Sequence, residues 1–141
     1  MFVLNTQTGA ITMHAGDTGS IKVHATRQTG DDWTSADRMV YTIVNANGMV
    51  VLKRYYRLDT SLGNGRILVQ FHNDDTDDLA PGNYSAERRY VVNPRWEGTV
   101  PTGDVTDALA EGIGQIVDGD VVRVPSNGQT ALTIQRVYGE V

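Results

Sequence analysis

The sequence contains no cysteine, only four prolines and a negative balance of charge. Without cysteine the chain has no disulfide bond, no thiol nucleophile and no cysteine-held zinc. No apolar run approaches the roughly 20 residues that a membrane-spanning helix needs. The formal net charge of −5 disfavours a nucleic-acid surface, because phosphate contacts need clustered positive charge. We therefore expect neither a membrane nor a nucleic acid as a partner.

What the chain does contain favours short strands and tight turns. It has 141 residues, with 15 glycines and six tyrosines. Apolar and polar residues alternate in stretches such as 11–15 and 67–71, with turn signals about every 8–12 residues. This length suits one domain with its own core. We predict a single all-β domain over residues 1–141, a Greek-key sandwich of about eight or nine strands with at most one short helix.

The stretch 71–92 carries the clearest architectural signal. Pro81 fixes a backbone angle suited to a turn, and Gly82 permits a positive one. Tyr84 opens the next strand, and Leu79 precedes the turn. A tyrosine at this point of a sandwich can return its hydroxyl to the backbone of the corner, an arrangement called a tyrosine corner. We predict that Leu79, Pro81, Gly82 and Tyr84 form a structural corner between the two sheets.

Turn signals also predict how the first strands are connected. Stretches 39–44 and 49–58 flank an Asn-Gly pair and are predicted to form a long hairpin. Stretches 11–15 and 20–26 are both half-buried strands. Their alternation requires a three- or five-residue loop if both apolar sets point inward, and otherwise the two do not pair directly.

The last third of the chain is less regular. The strand pattern lapses over 93–112, where 104–111 is predicted to form one or two helical turns capped by Asp104. An Asp-Gly pair at 118–119 predicts a hairpin of 113–117 with 120–124. A final strand, 131–138, is predicted to follow a turn at 126–129 and to pair with 120–124.

Motifs for catalysis are absent. No Gly-x-Ser-x-Gly elbow occurs, and no glycine-rich phosphate loop follows a strand and opens a helix. We expect no enzymatic activity, no catalytic residue, no metal ligand and no cofactor. An enzyme would require a cleft that brings His72 to the acidic residues of the 74–78 turn.

Two sets of residues are candidates for ion binding. The turn with Asp74, Asp75, Asp77 and Asp78 could offer oxygen ligands to calcium, although it lacks the glycine and closing glutamate of an EF-hand loop. We favour solvated turn residues and leave ion binding open. The histidines, which are His14, His24 and His72, fall on outward positions. They could bind zinc only if the fold gathered them, and we expect ordinary exposed side chains.

Arginines and aromatic residues supply the candidate binding surface. Arg54 and Arg88 share a side with apolar neighbours, so each must find a carboxylate or lie at a sheet margin. We expect ion pairs with Glu87 or an aspartate, the alternative being a subunit interface. Trp33 and Trp96 either cap the core, which we favour, or offer a flat ring to a sugar or partner. The candidate platform for an interface or ligand comprises Trp33, Trp96, Tyr55, Arg57 and Arg89.

Three stretches resemble a known family. They are Ile-Thr-Met-His-Ala-Gly-Asp-Thr at 11–18, Asp-Thr-Asp-Asp-Leu-Ala-Pro-Gly-Asn-Tyr at 75–84 and Gly-Asp-Val-Val-Arg-Val at 119–124. Together they resemble the small Ig-like N-terminal domain of baseplate upper proteins in phages of Gram-positive bacteria. The resemblance implies an Ig-like sandwich and a self-associating structural component of a virion, with no catalytic residues.

These observations lead to one functional expectation and one alternative. We expect a phage or prophage structural protein of the tail or baseplate type, which acts in assembly or adhesion through contacts with itself and with other virion proteins. It would be made in the bacterial cytoplasm and assembled into a virion, since no charged-then-apolar signal segment follows Met1. The alternative is a carbohydrate-binding β-sandwich module that stacks sugars on tryptophan or tyrosine rings.

Overall fold

A computed structural model of the chain describes residues 1–122 and 129–136. Within them the chain is an all-β sandwich with a single helical turn, α1 (Asn73–Thr76). The strands are β1 (Val3–Leu4), β2 (Ile11–His14), β3 (Gly19–His24), β4 (Arg38–Val44), β5 (Val50–Arg57), β6 (Asp59–Thr60), β7 (Gly63–Asn64), β8 (Arg66–Phe71), β9 (Gly82–Glu97), β10 (Val105–Asp107), β11 (Gln115–Val122) and β12 (Gln129–Gln135). Eight of these described strands have four residues or more. The predicted all-β sandwich is confirmed.

Two layers of strands enclose the core. The large sheet runs in the order β1-β2-β12-β9-β4-β5-β10, and β11 also pairs with β9. The second layer is the antiparallel pair β3-β8, and β6-β7 is a separate short ribbon. The layers meet through side chains such as Phe71 of β8 and Tyr41 of β4, whose rings pack edge to face with centroids 6.4 Å apart. Among the described residues, no helix has the length and hydropathy needed to span a bilayer.

The core follows from the alternation of the strands. Every second residue of β4, namely Met39, Tyr41 and Ile43, is buried against the second layer. Residues of β2, β12, β9 and β5 continue this inner face, and β3 and β8 supply the opposing side chains. These buried positions carry most of the favourable free energy of folding, because burial of apolar surface contributes about 25 cal/mol per Å².

Strand β9 organises the large sheet. It is 16 residues long, and β4 pairs along one edge at residues 85–91. Its other edge takes β12 at residues 82–87 and then β11 at residues 90–97. The predicted lapse in pattern after Val92 is therefore wrong, because β9 continues to Glu97. The predicted pairing of the last two strands is also wrong: Val122 lies opposite Tyr90 of β9.

The predicted hairpin at Asp118-Gly119 is replaced by a bulge in one continuous strand. The register of β11 against β9 shifts on both sides of Asp118. A Cβ on Gly119 would lie 2.6 Å from a methyl carbon of Val91 and 3.0 Å from the Cα of Pro94, so the close approach of the strands requires glycine. The Asp118-Gly119 pair therefore allows β11 to approach β9 closely and does not reverse the chain. The predicted turn at 126–129 falls, apart from Gln129, outside the described residues.

The other connections divide between confirmed and wrong predictions. The long hairpin of β4 and β5 is confirmed, with Gly48 at φ 79° and the Asn45 side chain accepting two backbone N–H groups of the turn. Strands β2 and β3 lie in different layers, which is the alternative without direct pairing. The predicted helical turns at 104–111 are wrong, because β10 pairs there with the free edge of β5, Val105 opposite Tyr56.

The Pro-Gly stretch carries the chain from β8 in the second layer to β9 in the large sheet. Gly82 begins β9, directly after Pro81. The Tyr84 hydroxyl donates to the carbonyl of Ala80 at 2.7 Å, and the half-buried ring packs against the core. The Leu79 amide donates to Thr76 at the end of α1. This is the hydrogen bond by which a tyrosine corner fixes a crossover.

Candidate functional site

The outer face of the large sheet is the side turned away from β3 and β8. Register places its side chains in three rows across β5, β4 and β9. The rows are Arg57-Arg38-Val91, Tyr55-Val40-Arg89 and Lys53-Thr42-Glu87. Because successive strand residues point to opposite faces, these rows are the counterpart of the buried rows on the inner face. Three residues of the candidate platform, Tyr55, Arg57 and Arg89, lie here.

A groove of about 420 Å³ runs along this outer face beside β11. Its floor includes Val40, Thr42 and Tyr55, and residues 116–121 of β11 form one side. Its charged lining residues are Lys53, Arg89, Glu87 and Asp118, two of each sign. The groove therefore combines apolar surface with balanced charge.

The charges of the groove remain available to a partner. Arg89 and Glu87 approach to 3.4 Å, but their side chains are 59% and 50% exposed. Exposed ion pairs of this kind contribute about 0–1 kcal/mol, so their separation costs little. Arg95 and Asp118 form a looser pair at 3.8 Å on the neighbouring strands. Each of these charges can exchange its present partner for one on another molecule.

Tyr55 is part of the floor of the groove, and its ring packs against Trp96. Tyr55 is 1% exposed, and its hydroxyl donates to the side-chain oxygen of Gln115 at 3.0 Å. Burial raises the pKa of Tyr55. Its ring meets the Trp96 ring edge to face, with centroids 5.0 Å apart, and the Arg38 guanidinium lies 5.8 Å from the Trp96 ring centroid. The Tyr55 ring is therefore buried within the outer face, and the half-buried Trp96 ring lies against it.

Arg38 and Arg57 make the same end of the face positive. They lie directly opposite each other on β4 and β5. Arg38 is buried and donates to the carbonyl oxygens of Ser35, Asp37 and Pro101. Burial lowers the pKa of Arg38, and the neighbouring charge of Arg57 lowers it further. Within the described part of the chain, neither arginine forms an ion pair with a carboxylate.

The segment between β9 and β11 covers part of the outer face and leaves the groove open. The Ala108 amide donates to the carbonyl of Lys53 at 2.9 Å, and the Gln115 side chain donates to the carbonyl of Ala108 at 2.9 Å. Beyond this cover, Val117 and Val121 of β11 are 48% and 62% exposed. The two valines place apolar surface at the side of a charged groove.

Trp33 does not belong to this surface, which corrects its place in the candidate platform. It is 3% exposed, and its indole N–H donates to the carbonyl of Ala25 at 2.8 Å. Its ring stacks on Tyr90 at 6.0 Å between centroids, and the Asn64 side chain bonds both backbone groups of Trp33. The favoured interpretation, a tryptophan that caps the core, is confirmed. Trp33 therefore offers no ring face to a sugar.

The acidic turn neutralises a buried arginine. Asp75 lies 2.5 Å from the guanidinium of Arg54, which also donates to the carbonyl of Gln70 at 2.9 Å. Burial alone would lower the pKa of Arg54, but the hydrogen bond to Asp75 outweighs it and the pKa is raised. The expected ion pair between Arg54 and an aspartate is confirmed. Glu87, the other expected partner, lies on the outer face.

The same turn is tied into the fold by its backbone. The His72 amide donates to the Asp75 carboxylate at 2.7 Å, and the buried Thr76 hydroxyl accepts from the Gly16 amide at 2.9 Å. Asp74 and Asp77 are exposed. No group of three or more His, Cys, Asp or Glu side chains with the geometry of a metal site occurs among residues 1–122 and 129–136. Asp75, whose carboxylate contacts the Arg54 guanidinium and the His72 amide, thus has a structural role.

Sequence reasoning missed Arg38, Val117 and Val121 as members of the outer face. The alternation of stretch 49–58 correctly placed Lys53 on the same face as Tyr55 and Arg57. No local signal places β11 beside β9, because that pairing joins distant parts of the chain. Comparisons of the chain with protein-family models, with curated proteins and with solved structures found no match.

Proposed function

We propose that this chain is an assembly domain that binds a second copy of itself through the outer face of the large sheet, as a structural protein of a phage or prophage virion. The observation that carries this proposal is the groove beside β11. It combines Lys53 and Arg89 with Glu87 and Asp118, and exposed valines lie at its side.

Balanced charge suits pairing between identical surfaces. In a two-fold dimer the same patch meets itself, so a cation at one position must find an acid at another position of the same patch. Lys53 and Arg89 can meet Glu87 and Asp118 of the second copy, and the reverse contact then follows by symmetry. A patch of one sign would repel its own copy. The mixed groove thus favours a second copy as the occupant.

The exposed valines add the apolar contribution that charge alone does not give. Val117 and Val121 lose their hydration when the faces meet, which contributes about 25 cal/mol per Å² of apolar surface. Arginine is enriched at protein interfaces, where its planar group forms several hydrogen bonds. Arg57 and Arg89 lie on the outer face, where each can form such hydrogen bonds with a second copy.

The virion setting rests on different support. The stretches at 11–18, 75–84 and 119–124 resemble the Ig-like domain of baseplate upper proteins, and an all-β sandwich is compatible with that resemblance. The setting is tested by mass spectrometry of purified particles from the source cells. We expect peptides of this chain at a constant ratio to the tail proteins. Particles that lack the chain would contradict the proposal that it belongs to a virion. They would not bear on the proposal that it self-associates, which is tested separately.

Light scattering over a range of protein concentrations tests self-association. We expect the wild-type chain to reach the mass of a dimer, and Arg89→Glu to weaken the dimer at least about tenfold, because like charges then face each other. Arg66→Glu is the matched control, since Arg66 is exposed on β8 of the other layer. It should leave the dimer unchanged.

A charge exchange within the groove sharpens this test. The double variant Glu87→Arg, Arg89→Glu retains one charge of each sign at neighbouring positions, so it should recover much of the affinity that Arg89→Glu loses. A wild-type chain that stays monomeric at all concentrations would overturn the proposal. An equal loss in the Arg66→Glu control would overturn it as well.

A further inference from the structure

The two edges of the second layer differ in how their backbone groups are satisfied. On the outer edge of β8, the Arg54 guanidinium donates to the carbonyl of Gln70 at 2.9 Å, and the Thr60 hydroxyl donates to the carbonyl of Arg66 at 2.7 Å. Strand β3 pairs with β8 along one edge only. Among the described residues, no strand pairs with its other edge. Side chains therefore cover the edge of β8, whereas the edge of β3 is open.

The register shows which backbone groups of β3 point to the open edge. The Ala25 amide donates to the carbonyl of Gly65 at 2.8 Å, and the same register continues along β3 and β8. Opposite residues of an antiparallel pair alternate between exchanging hydrogen bonds and pointing their backbone groups away. The N–H and C=O groups of Ser20, Lys22 and His24 therefore point away from β8. These residues are exposed, and within the described part of the chain none of these backbone groups has a hydrogen-bond partner.

A cavity of about 340 Å³ lies beside the open edge. Residues 21–23 of β3 line one side of it, and the connection between β1 and β2 lines another. The apolar part of its lining is formed by Leu4, Ile21, Val23 and Val69. A strand that paired with the open edge of β3 would point every second side chain inward. The cavity can accept an apolar side chain from such a strand.

The outer side of the second layer is positively charged. Lys22 and His24 of β3 and Arg66 of β8 point to this side, because they alternate with inward-facing residues. Neither strand contains an aspartate or a glutamate. Within the described part of the chain, neither Lys22 nor Arg66 forms an ion pair with a carboxylate. Acidic side chains on an added strand would therefore be favourable neighbours of Lys22.

We propose that the open edge of β3 binds an extended segment of another polypeptide, in which apolar and acidic residues alternate. The segment would pair antiparallel with β3 and exchange backbone hydrogen bonds with Ser20, Lys22 and His24. One of its apolar side chains would enter the cavity, and its acidic side chains would lie beside Lys22 and His24. A second copy of β3 is disfavoured as the occupant, because it would bring a second Lys22 to the same edge.

Amide hydrogen exchange followed by NMR tests this proposal. The probe is the peptide acetyl-Val-Glu-Val-Glu-Val-Glu-amide, which has the length of β3. We expect the amides of Ser20, Lys22 and His24 to exchange at least about tenfold more slowly at millimolar peptide, because they become hydrogen-bonded. The amide of Leu68 is the matched control. Leu68 lies opposite Lys22 and points its backbone groups to the other edge of the layer, so its exchange should not change.

Charge variants test the recognition of acidic side chains. Lys22→Glu should weaken binding of the glutamate peptide about tenfold, because like charges then lie side by side. It should strengthen binding of the matched peptide acetyl-Val-Lys-Val-Lys-Val-Lys-amide. Lys22 is exposed, so its replacement leaves the core intact. Arg66→Glu reverses a charge one strand further from the added segment and should weaken the glutamate peptide less than Lys22→Glu does.

N-methylated peptides test the pairing of strands. In the proposed antiparallel pair, the glutamate N–H groups face β3 and the valine N–H groups face solvent. N-methylation of every glutamate should abolish binding, whereas N-methylation of every valine should retain it. Equal or reversed effects of these two peptides would overturn the proposal.

Two further results would overturn it. One is equal binding of the glutamate and lysine peptides to the wild-type chain, since the charge of the second layer would then have no part in recognition. The other is unchanged exchange of the β3 amides at millimolar glutamate peptide. None of these results bears on self-association, because β3 lies in the layer opposite the outer face of the large sheet.

Discussion

The two faces of the large sheet are built from the same strands but treat polar side chains differently. On the inner face Arg54 is neutralised by Asp75, a residue contributed by the connection that leads out of the second layer. On the outer face Arg38 is held by three backbone carbonyls, and Arg89 by an exposed pair with Glu87. The charges of Arg54 and of the buried Arg38 are each fixed in one arrangement, whereas the exposed pair of Arg89 and Glu87 can be rearranged.

Because of this difference, we expect the buried ion pair to contribute to stability and the exposed ion pair to contribute to recognition of a partner. A buried ion pair that loses one partner leaves an uncompensated charge, which costs several kcal/mol. An exposed pair that separates costs little and can form again with another molecule. We therefore expect substitutions on the inner face to change the free energy of unfolding, and substitutions on the outer face to change association.

The largest effect is expected from Asp75→Asn. Both members of the Arg54–Asp75 pair are mostly buried, with side-chain exposures of 11% and 14%. Removal of the carboxylate charge should lower the free energy of unfolding by about 3–5 kcal/mol. Urea denaturation followed by tryptophan fluorescence measures the change.

Two comparisons test the reason for this loss. Asp74→Asn removes the same charge from an exposed neighbour, so it should stay within about 0.5 kcal/mol of the wild type. The double variant Arg54→Met, Asp75→Asn removes both charges and should be more stable than Asp75→Asn alone. A double variant less stable than the single one would show that the buried charge is not the cause.

Alkaline pH tests the inner face in a second way. Burial raises the pKa of Tyr41, Tyr56 and Tyr90 above the ordinary value of 10.0. Below pH 10 these phenols are protonated in both the folded and the unfolded chain, so their contribution to stability is complete. Above pH 10 the unfolded chain releases protons that the folded chain retains, and the free energy of unfolding falls by about 1.4 kcal/mol per pH unit for each tyrosine.

The variant Tyr41→Phe isolates one of these contributions. It should reduce the slope of stability against pH above pH 10 by about 1.4 kcal/mol per pH unit, as measured by urea denaturation at several pH values. At pH 7 its stability should equal that of the wild type or exceed it by about 1 kcal/mol, because the lost hydroxyl has no partner among the described residues. An unchanged slope would mean that Tyr41 ionises equally in both states.

The inner face was largely predictable because its signals are local. The alternation in β5 identified Leu52 and Tyr56 as apolar neighbours of Arg54 and so the inward side of Arg54. An inward arginine needs a carboxylate, so an ion pair with an aspartate followed from polarity alone. The Pro-Gly stretch located the crossover for the same reason: Pro81 fixes its own backbone angle, and Gly82 permits a positive one.

The outer face was not predictable to the same extent, because it depends on contacts between distant parts of the chain. The proline at position 94 predicted that a strand ends before it, yet β9 passes through both Asn93 and Pro94. Asn93 adopts a positive φ of 52° there. A bulge opposite Gly119 accommodates them, since a bulged residue makes no regular ladder hydrogen bond and proline is tolerated there. Strand β11 pairs with β9 on both sides of this bulge, and residues 116–121 form one side of the groove.

The smallest effect is expected at the margin of the inner face, from Tyr84→Phe. The Tyr84 hydroxyl donates to the Ala80 carbonyl at 2.7 Å, and the bond is partly exposed to solvent, so its loss should lower the free energy of unfolding by about 0.5–1.5 kcal/mol. Tyr41→Phe is a matched control, since it removes the same atom from a buried position without a partner. Denaturation of the two variants at pH 7 should show a loss for the first and none for the second. Equal effects would mean that the corner hydrogen bond contributes nothing, and that the turn alone directs the chain from one layer to the other.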